Sequence, residues 1–184
     1  MEIIIPPDCT TVHRALASLG PGKGILGITN SSWSKIDALR VILGKIGPAN
    51  VTISTWTAAS ANLDQAHALL NSKKITSLRL CVDRSFLTRQ PAYSKRAYQL
   101  FGGESIRIWP SHAKFFICEN AESSIIYLTS ANLNQNPRLE NFQCFWDAEI
   151  AQRYLDLVDA LFERQIPRAK LPAPGLVDEI MKNI

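Results

Sequence analysis

The sequence predicts an α/β protein, and three observations carry that prediction. Short β-branched runs alternate with amphipathic helical patterns between residues 25 and 101. Four strand-like runs then succeed one another at 105–110, 113–119, 124–130 and 141–147 with no helical pattern between them. An apolar stripe at helical spacing closes the series at 148–164. Alternating strands and helices indicate a layered, largely parallel sheet, because each crossover helix returns the chain to the same sheet edge.

The first strand is read at 25–29, ILGIT, ending at Asn30-Ser31-Ser32. Ile36, Leu39, Ile42, Leu43 and Ile46 then recur at helical spacing. Ser34 and Asp37 stand three apart at the start of that stripe, a capping box with Asp in place of Glu. Gly47-Pro48 ends the helix. Residues 51–57, VTISTWT, alternate and are rich in β-branched side chains, so they read as a strand. Leu63, Ala66, Leu69 and Leu70 mark a helix over 62–73, and ITSLRLCVD at 75–83 is the next strand. A basic loop leads into a helix near 92–101, stopped by Gly102-Gly103. In the second half, the loop around Asn120 to Ser123 can return the run at 124–130 beside that at 113–119. Ile150, Tyr154, Leu157, Val158, Leu161 and Phe162 form the stripe of the long helix. Pro167, Pro172 and Pro174 make the segment after that helix extended. Residues 1–166 are therefore expected to form one domain, and 167–184 a Pro-rich extension with a short helix at 176–183.

A chain of 184 residues can bury a sizeable core. No apolar run approaches the roughly 20 residues that span a bilayer. The N-terminus, MEIIIPPDCTTVHRAL, opens on an acidic residue and has only Ile3 to Ile5 as an apolar run, unlike a signal peptide. A cytoplasmic protein with no membrane partner is expected. Cys9, Cys81, Cys118 and Cys144 form no C-x-x-C pair, so no zinc ribbon or redox motif is expected, and the last three read as buried thiols. His13, His67 and His112 are far apart with no carboxylate at ligand spacing, so neither metal nor cofactor is expected. The net charge of +4 permits a polyanionic partner. Much of the excess is local, with Arg84, Arg89, Lys95 and Arg96 in DRSFLTRQPAYSKRAY. These residues are either a solvated loop and helix face or a phosphate-contacting rim, with Phe86, Tyr93 and Tyr98 available for stacking on bases. Trp33, Trp56, Trp109 and Trp146 read as core or subunit-interface residues.

The chemistry concentrates in SHAKFFICENAESSIIYLTSANLNQNPRLENF, residues 111–142. Residues two apart on a strand share a face, so His112 and Lys114 would present an imidazole and an ammonium side by side. Ser130 and Asn132 stand two apart at the end of the next run. A hairpin would bring all four to a common sheet end. An imidazole, an ammonium, a hydroxyl and an amide converging there suit an oxyanion such as phosphate. Imidazole also serves as nucleophile or general acid–base near neutral pH. Read without this context, His112 is a surface histidine and NLNQNP only a turn.

In these residues the chain resembles the phospholipase D superfamily, whose pattern is close to H-x-K-x4-D-x6-G-S-x-x-N. HAKFFICE supplies H-x-K with four residues before an acid, TSANL resembles the family's G-S-A-N-L-like turn, and PRLENF supplies Glu140. The shape of the stretch is also similar to that of small phage and prophage proteins of this class. Glu119 stands where the family has Asp, and Thr129 where it has Gly. The resemblance implies a mixed sheet flanked by helices on both faces and metal-independent phosphodiester chemistry. His112 would form a phosphohistidine, and a second His would protonate the leaving oxygen. Lys114, Ser130 and Asn132 would bind the non-bridging oxygens, with Thr129 beside them and Arg84 and Arg89 at the rim. Glu140 would orient His112 by accepting a proton from its other ring nitrogen. The chain carries one such motif, so the second His implies a homodimer.

The leading expectation is a phosphodiesterase of this class, a nuclease acting on DNA. The alternative is a catalytically degenerate phosphate- or DNA-binding module of phage or prophage origin. A structural phage component without a phosphate ligand is a third reading.

Overall fold

A computed structural model describes residues 1–134 and 138–165. The expected C-terminal extension and its short helix lie outside the described residues, as do Gln135, Asn136 and Pro137 of the Asn-rich stretch. The elements run β1 (Glu2–Ile4), α1 (Val12–Ala15), β2 (Lys23–Thr29), α2 (Lys35–Ile46), β3 (Ala49–Thr55), α3 (Ser60–Asn71) and β4 (Ile75–Asp83). They continue α4 (Phe86–Arg89), α5 (Pro91–Phe101), β5 (Ile106–Trp109), β6 (Phe115–Glu119), β7 (Ser124–Thr129), β8 (Glu140–Trp146) and α6 (Ala148–Arg164).

The strands form one eight-stranded sheet in the order β1-β2-β8-β7-β6-β3-β4-β5. It is mixed: β1–β2, β3–β4 and β4–β5 are parallel, while β2–β8, β8–β7, β7–β6 and β6–β3 are antiparallel. The largely parallel sheet expected from the strand–helix rhythm is thus confined to two separate blocks. β2 does not sit beside β3, because the antiparallel β6, β7 and β8 lie between them. Four of the five residues of β6 are buried, alternately on both faces, so it needs a central place.

Helices cover both faces. On one, a core cluster joins Leu16, Leu39, Leu63 and Ala97 to Val51, Ile53, Leu80 and Tyr127. On the other, Ala151, Leu155, Val158 and Leu161 of α6 meet Cys81, Phe115, Ile117 and Ile126. Successive strand residues alternate between the two clusters, as the pleat requires. Cys81, Cys118 and Cys144 are buried thiols as expected, and burial pushes the Cys81 thiol up to about 12.

Local signals account for the element ends. The Ser34 hydroxyl accepts from the Asp37 N–H at 3.2 Å, and the Asp37 carboxylate accepts from the Ser34 N–H at 2.8 Å. This is the expected capping box. Gly102 ends α5 at φ 74°, a conformation costly for any residue with a Cβ. Asn120 builds the β6–β7 turn, its Oδ1 accepting from Glu122 N at 3.1 Å and Ser123 N at 2.9 Å. The helix expected at 62–73 begins two residues earlier. β1, α1 and α4 are too short to show a full hydrophobic period and have no counterpart among the expected elements. Gln165 closes the outer edge of β5, its side chain donating to Ile108 O at 2.6 Å and accepting from Ile108 N at 2.7 Å. Among the described residues no helix is long and apolar enough to cross a membrane.

An aromatic stack lies beneath one end of the sheet. Phe116 and Tyr127 stack at 4.9 Å, Tyr127 and Phe142 at 5.8 Å, and Trp33 meets Phe142 edge-on at 5.3 Å. Gly27 leaves the space that Phe142 fills, since a Cβ there would stand 2.5 Å from Phe142 Cζ. Gly27→Ala is therefore expected to destabilise the fold by about 1–3 kcal/mol through overpacking, read as a lower urea midpoint at unchanged m-value.

Candidate active site

The pairing registers place the ends of seven strands along one sheet edge. Thr29 lies opposite Glu140, Thr129 opposite Phe142, Phe115 opposite Leu128, Ser54 opposite Phe115, and Asp83 opposite Trp109. The His112–Lys114 segment enters at this edge, and the Thr129–Asn132 segment leaves from it. The expected convergence at a common sheet end is present.

The local geometry differs from a strand face, because β6 begins only at Phe115. Residues 111–114 are held from three sides. Ser111 N donates to Asp83 Oδ2 at 3.0 Å, Ser54 Oγ donates to Ala113 O at 3.0 Å, and Thr129 N donates to Lys114 O at 3.0 Å. The Lys114 ammonium curls back on the histidine, donating to His112 O at 2.6 Å and meeting Nδ1 at 2.9 Å. His112 is exposed, whereas Lys114 is only 8 % exposed. Burial lowers the Lys114 pKa, against the opposing pull of the Glu140 and Asp83 carboxylates.

The segment after β7 explains that burial. Leu133 N donates to Thr57 O at 3.1 Å and Thr55 Oγ1 at 3.0 Å, and Ala59 N donates to Leu133 O at 2.9 Å. The chain therefore crosses from β7 to β3 over the end of β6, where Lys114 sits. Asn132 rides on this crossing, and its Oδ1 is buried without a hydrogen-bond partner among the described residues. The Thr129 hydroxyl donates to Asn141 O at 2.9 Å and accepts from Ala131 N at 3.0 Å, so it serves the turn. Thr129 has no positive φ, so this position does not need glycine's backbone freedom.

Glu140 does not take the place expected for it. Its Oε2 accepts from the Ser130 hydroxyl, which in turn accepts from Asn141 N at 3.1 Å. The ring of His112 instead meets Lys114 and Trp56. The sheet order gives the reason. β7 lies between β8, which begins with Glu140, and β6, the strand into which the His112–Lys114 segment leads, so the two residues start from strands that are not neighbours. A cleft of about 290 Å³ opens beside Lys114, Thr129 and Ser130, with Tyr154 on its far wall.

At the rim, the Trp56 ring lies 5.5 Å from His112, and the Arg89 guanidinium carbon 5.0 Å from the Trp56 ring. Arg89 thus reaches the site through an aromatic bridge. Arg84 is exposed at the end of β4, with no side-chain hydrogen bond or ion pair among the described residues. Arg96 pairs with Asp64 instead. Trp33, Trp109 and Trp146 belong to the core as expected, but Trp56 belongs to the site. His13 is exposed on α1, and His67 meets Asn71 and Phe101. Among the described residues no cluster of three His, Cys, Asp or Glu is placed to hold a metal.

Sequence reasoning missed three members of the site: Trp56, Asp83 and Lys35. Lys35 is 3 % exposed, and its Nζ donates to Ser54 O at 3.3 Å. Its signal was present, since Lys35 shares a helical stripe with Leu39, Ile42 and Ile46. Asp83 is buried, with Oδ1 accepting from Ser85 N at 2.8 Å. Asp83→Ala strands the N–H groups of Ser85 and Ser111. A loss of about 1–3 kcal/mol is expected, with faster amide exchange at Ser111–Ala113.

No protein-family model matches the sequence, and no curated protein matches it. Among solved structures, the chain is similar to a polyphosphate kinase from Porphyromonas gingivalis, with a TM-score of 0.54 and 17 % identity over 80 % of this chain. The likeness is one of fold. The match covers 27 % of that kinase chain, so it concerns a part of the larger protein. It agrees with the architecture described above, a central mixed sheet flanked by helices.

Proposed function

We propose that the chain is a metal-independent phosphodiesterase of the phospholipase D-like class, acting as a nuclease on DNA. One observation carries the reading: His112 and the buried Lys114 meet at one sheet end beneath the Ser130–Asn132 crossing. Oriented donors around a nucleophilic imidazole are what phosphoryl transfer requires.

His112 Nε2 attacks phosphorus while the bond to the leaving oxygen breaks, giving a phosphohistidine. The leaving oxygen takes its proton from the His112 of a second copy, which then draws a proton from the water that hydrolyses the intermediate. Lys114 gates this step. While its ammonium donates to Nδ1, a neutral ring carries its proton on Nε2 and cannot attack. An arriving phosphate draws the ammonium to its own oxygens, which lets Nδ1 hold the proton and bares Nε2. DNA, rather than lipid, is favoured by the Arg89–Trp56 rim and the mild positive charge. The protein is then a cytoplasmic homodimer.

One observation favours a binding module instead: Glu140 is engaged by Ser130, and no other carboxylate among the described residues bonds to the His112 ring. Cleavage of single- and double-stranded DNA in excess EDTA, by the wild type and by His112→Ala, separates the two readings.

A further inference from the structure

Lys35 is a buried amine that the mechanism above does not use. It opens α2 at the first helical position, directly after the Ser34 cap. Its Nζ has one hydrogen-bond partner among the described residues, the carbonyl of Ser54, although an ammonium carries three donors. The same residue, Ser54, donates from its hydroxyl to Ala113 O, between His112 and Lys114. Lys35 is therefore linked through Ser54 to the same short segment that carries Lys114, and the two amines are close enough to repel each other's charge. A buried charge demands a counter-charge. The groups facing Lys35 are Lys114, which repels its charge, and Glu140, which favours it and is already engaged by Ser130. Asp83 faces Lys114 from β4 and spends both its oxygens on backbone N–H groups. Asp37, on Lys35's own helix, is held by the Ser34 cap and by Arg40.

We propose that Lys35 is a second cation of the phosphate site, one that takes up a proton as the anion arrives. The proposal rests on the phosphate-binding part of the reading above and not on catalysis. An anion beside Lys114 supplies the missing counter-charge, so its binding and the protonation of Lys35 favour each other. Burial first, then Lys114, push the Lys35 pKa down to about 7, so in the empty site the amine is mostly neutral at pH 8. This fixes the sign of the pH dependence. Below pH 7 Lys35 is already charged, and binding takes up no proton there. Above pH 7 binding must add one, and affinity falls as pH rises.

The test is calorimetric titration with sulfate, which does not itself titrate in this range. It is run at pH 6 and pH 8.5 in buffers of different ionisation enthalpy. The wild type and His112→Ala are expected to take up close to one proton per sulfate at pH 8.5, with affinity roughly thirtyfold weaker than at pH 6. Using His112→Ala removes the imidazole as an alternative group to take up that proton. Lys35→Met should bind sulfate more weakly at pH 6 and take up no proton at pH 8.5. Lys35→Arg, whose charge does not titrate, should bind at both pH values without proton uptake. Thermal melts establish that both variants are folded. Sulfate binding without proton uptake in the wild type overturns the proposal, as does unchanged uptake in Lys35→Met or a failure to bind sulfate. Proton-linked sulfate binding without DNA cleavage leaves Lys35 in its role and removes only the nuclease reading.

Discussion

His112→Ala is expected to lose DNA cleavage in excess EDTA by at least on the order of 10³-fold while still binding DNA. The size reflects the proposed role: on that reading, without the imidazole no phosphohistidine forms, and both displacements stop. Binding survives because Lys114, Lys35 and the Arg89–Trp56 rim remain, and its salt dependence should be that of the wild type. His112 is exposed at the sheet end, so its removal leaves no cavity, and the urea midpoint should not move. Lys114→Met is the informative companion. It removes the donor that meets both Nδ1 and the carbonyl of His112, and it should weaken DNA binding as well as cleavage. A wild type that binds DNA without cutting it, with binding that depends on Lys114 and not on His112, would establish the binding module. Cleavage that persists in His112→Ala would remove the phosphohistidine route.

Phe142→Ala is expected to cost about 3–5 kcal/mol, the largest loss of stability for a single substitution proposed in this protein. The side chain is 1 % exposed and lies between Tyr127 and Trp33, over the open space at Gly27. Truncation removes its buried apolar area and leaves a cavity that β2 and β8 cannot close without losing their register. The measurement is urea unfolding at constant m-value. Phe142→Leu should recover part of the loss, because it refills some of the volume. The consequence reaches the site, since Phe142 pairs with Thr129 and lies two residues after Glu140. A midpoint within error of the wild type would show that the aromatic stack is not a principal support of the sheet.

Much of the fold was legible in local patterns. The stripe from Ile36 to Ile46, its Ser34–Asp37 cap, the Asn120 turn and the full extent of α6 each depend on residues within a few positions of one another. Such short-range physics is written directly into the order of side chains. The meeting of His112 with Lys114 was legible for the same reason, because residues two apart cannot stray far. The short elements β1, α1 and α4 were not, since three or four residues carry no period.

The order of side chains was thus enough to say which longer segments are strands and helices, where they end to within a few residues, and which polar residues gather at 112–140. Strand order, and with it the membership of the site, was settled by packing between distant segments. The insertion of β6, β7 and β8 between β2 and β3 sets Glu140 on Ser130 and not on His112. It also brings Lys35, Trp56 and Asp83, from three distant parts of the chain, to the same edge. Strand pairing is a choice among long-range partners that satisfy the same hydrogen bonds. It is settled by which arrangement buries both faces of β6 and the aromatic stack, and no local window of sequence contains that comparison.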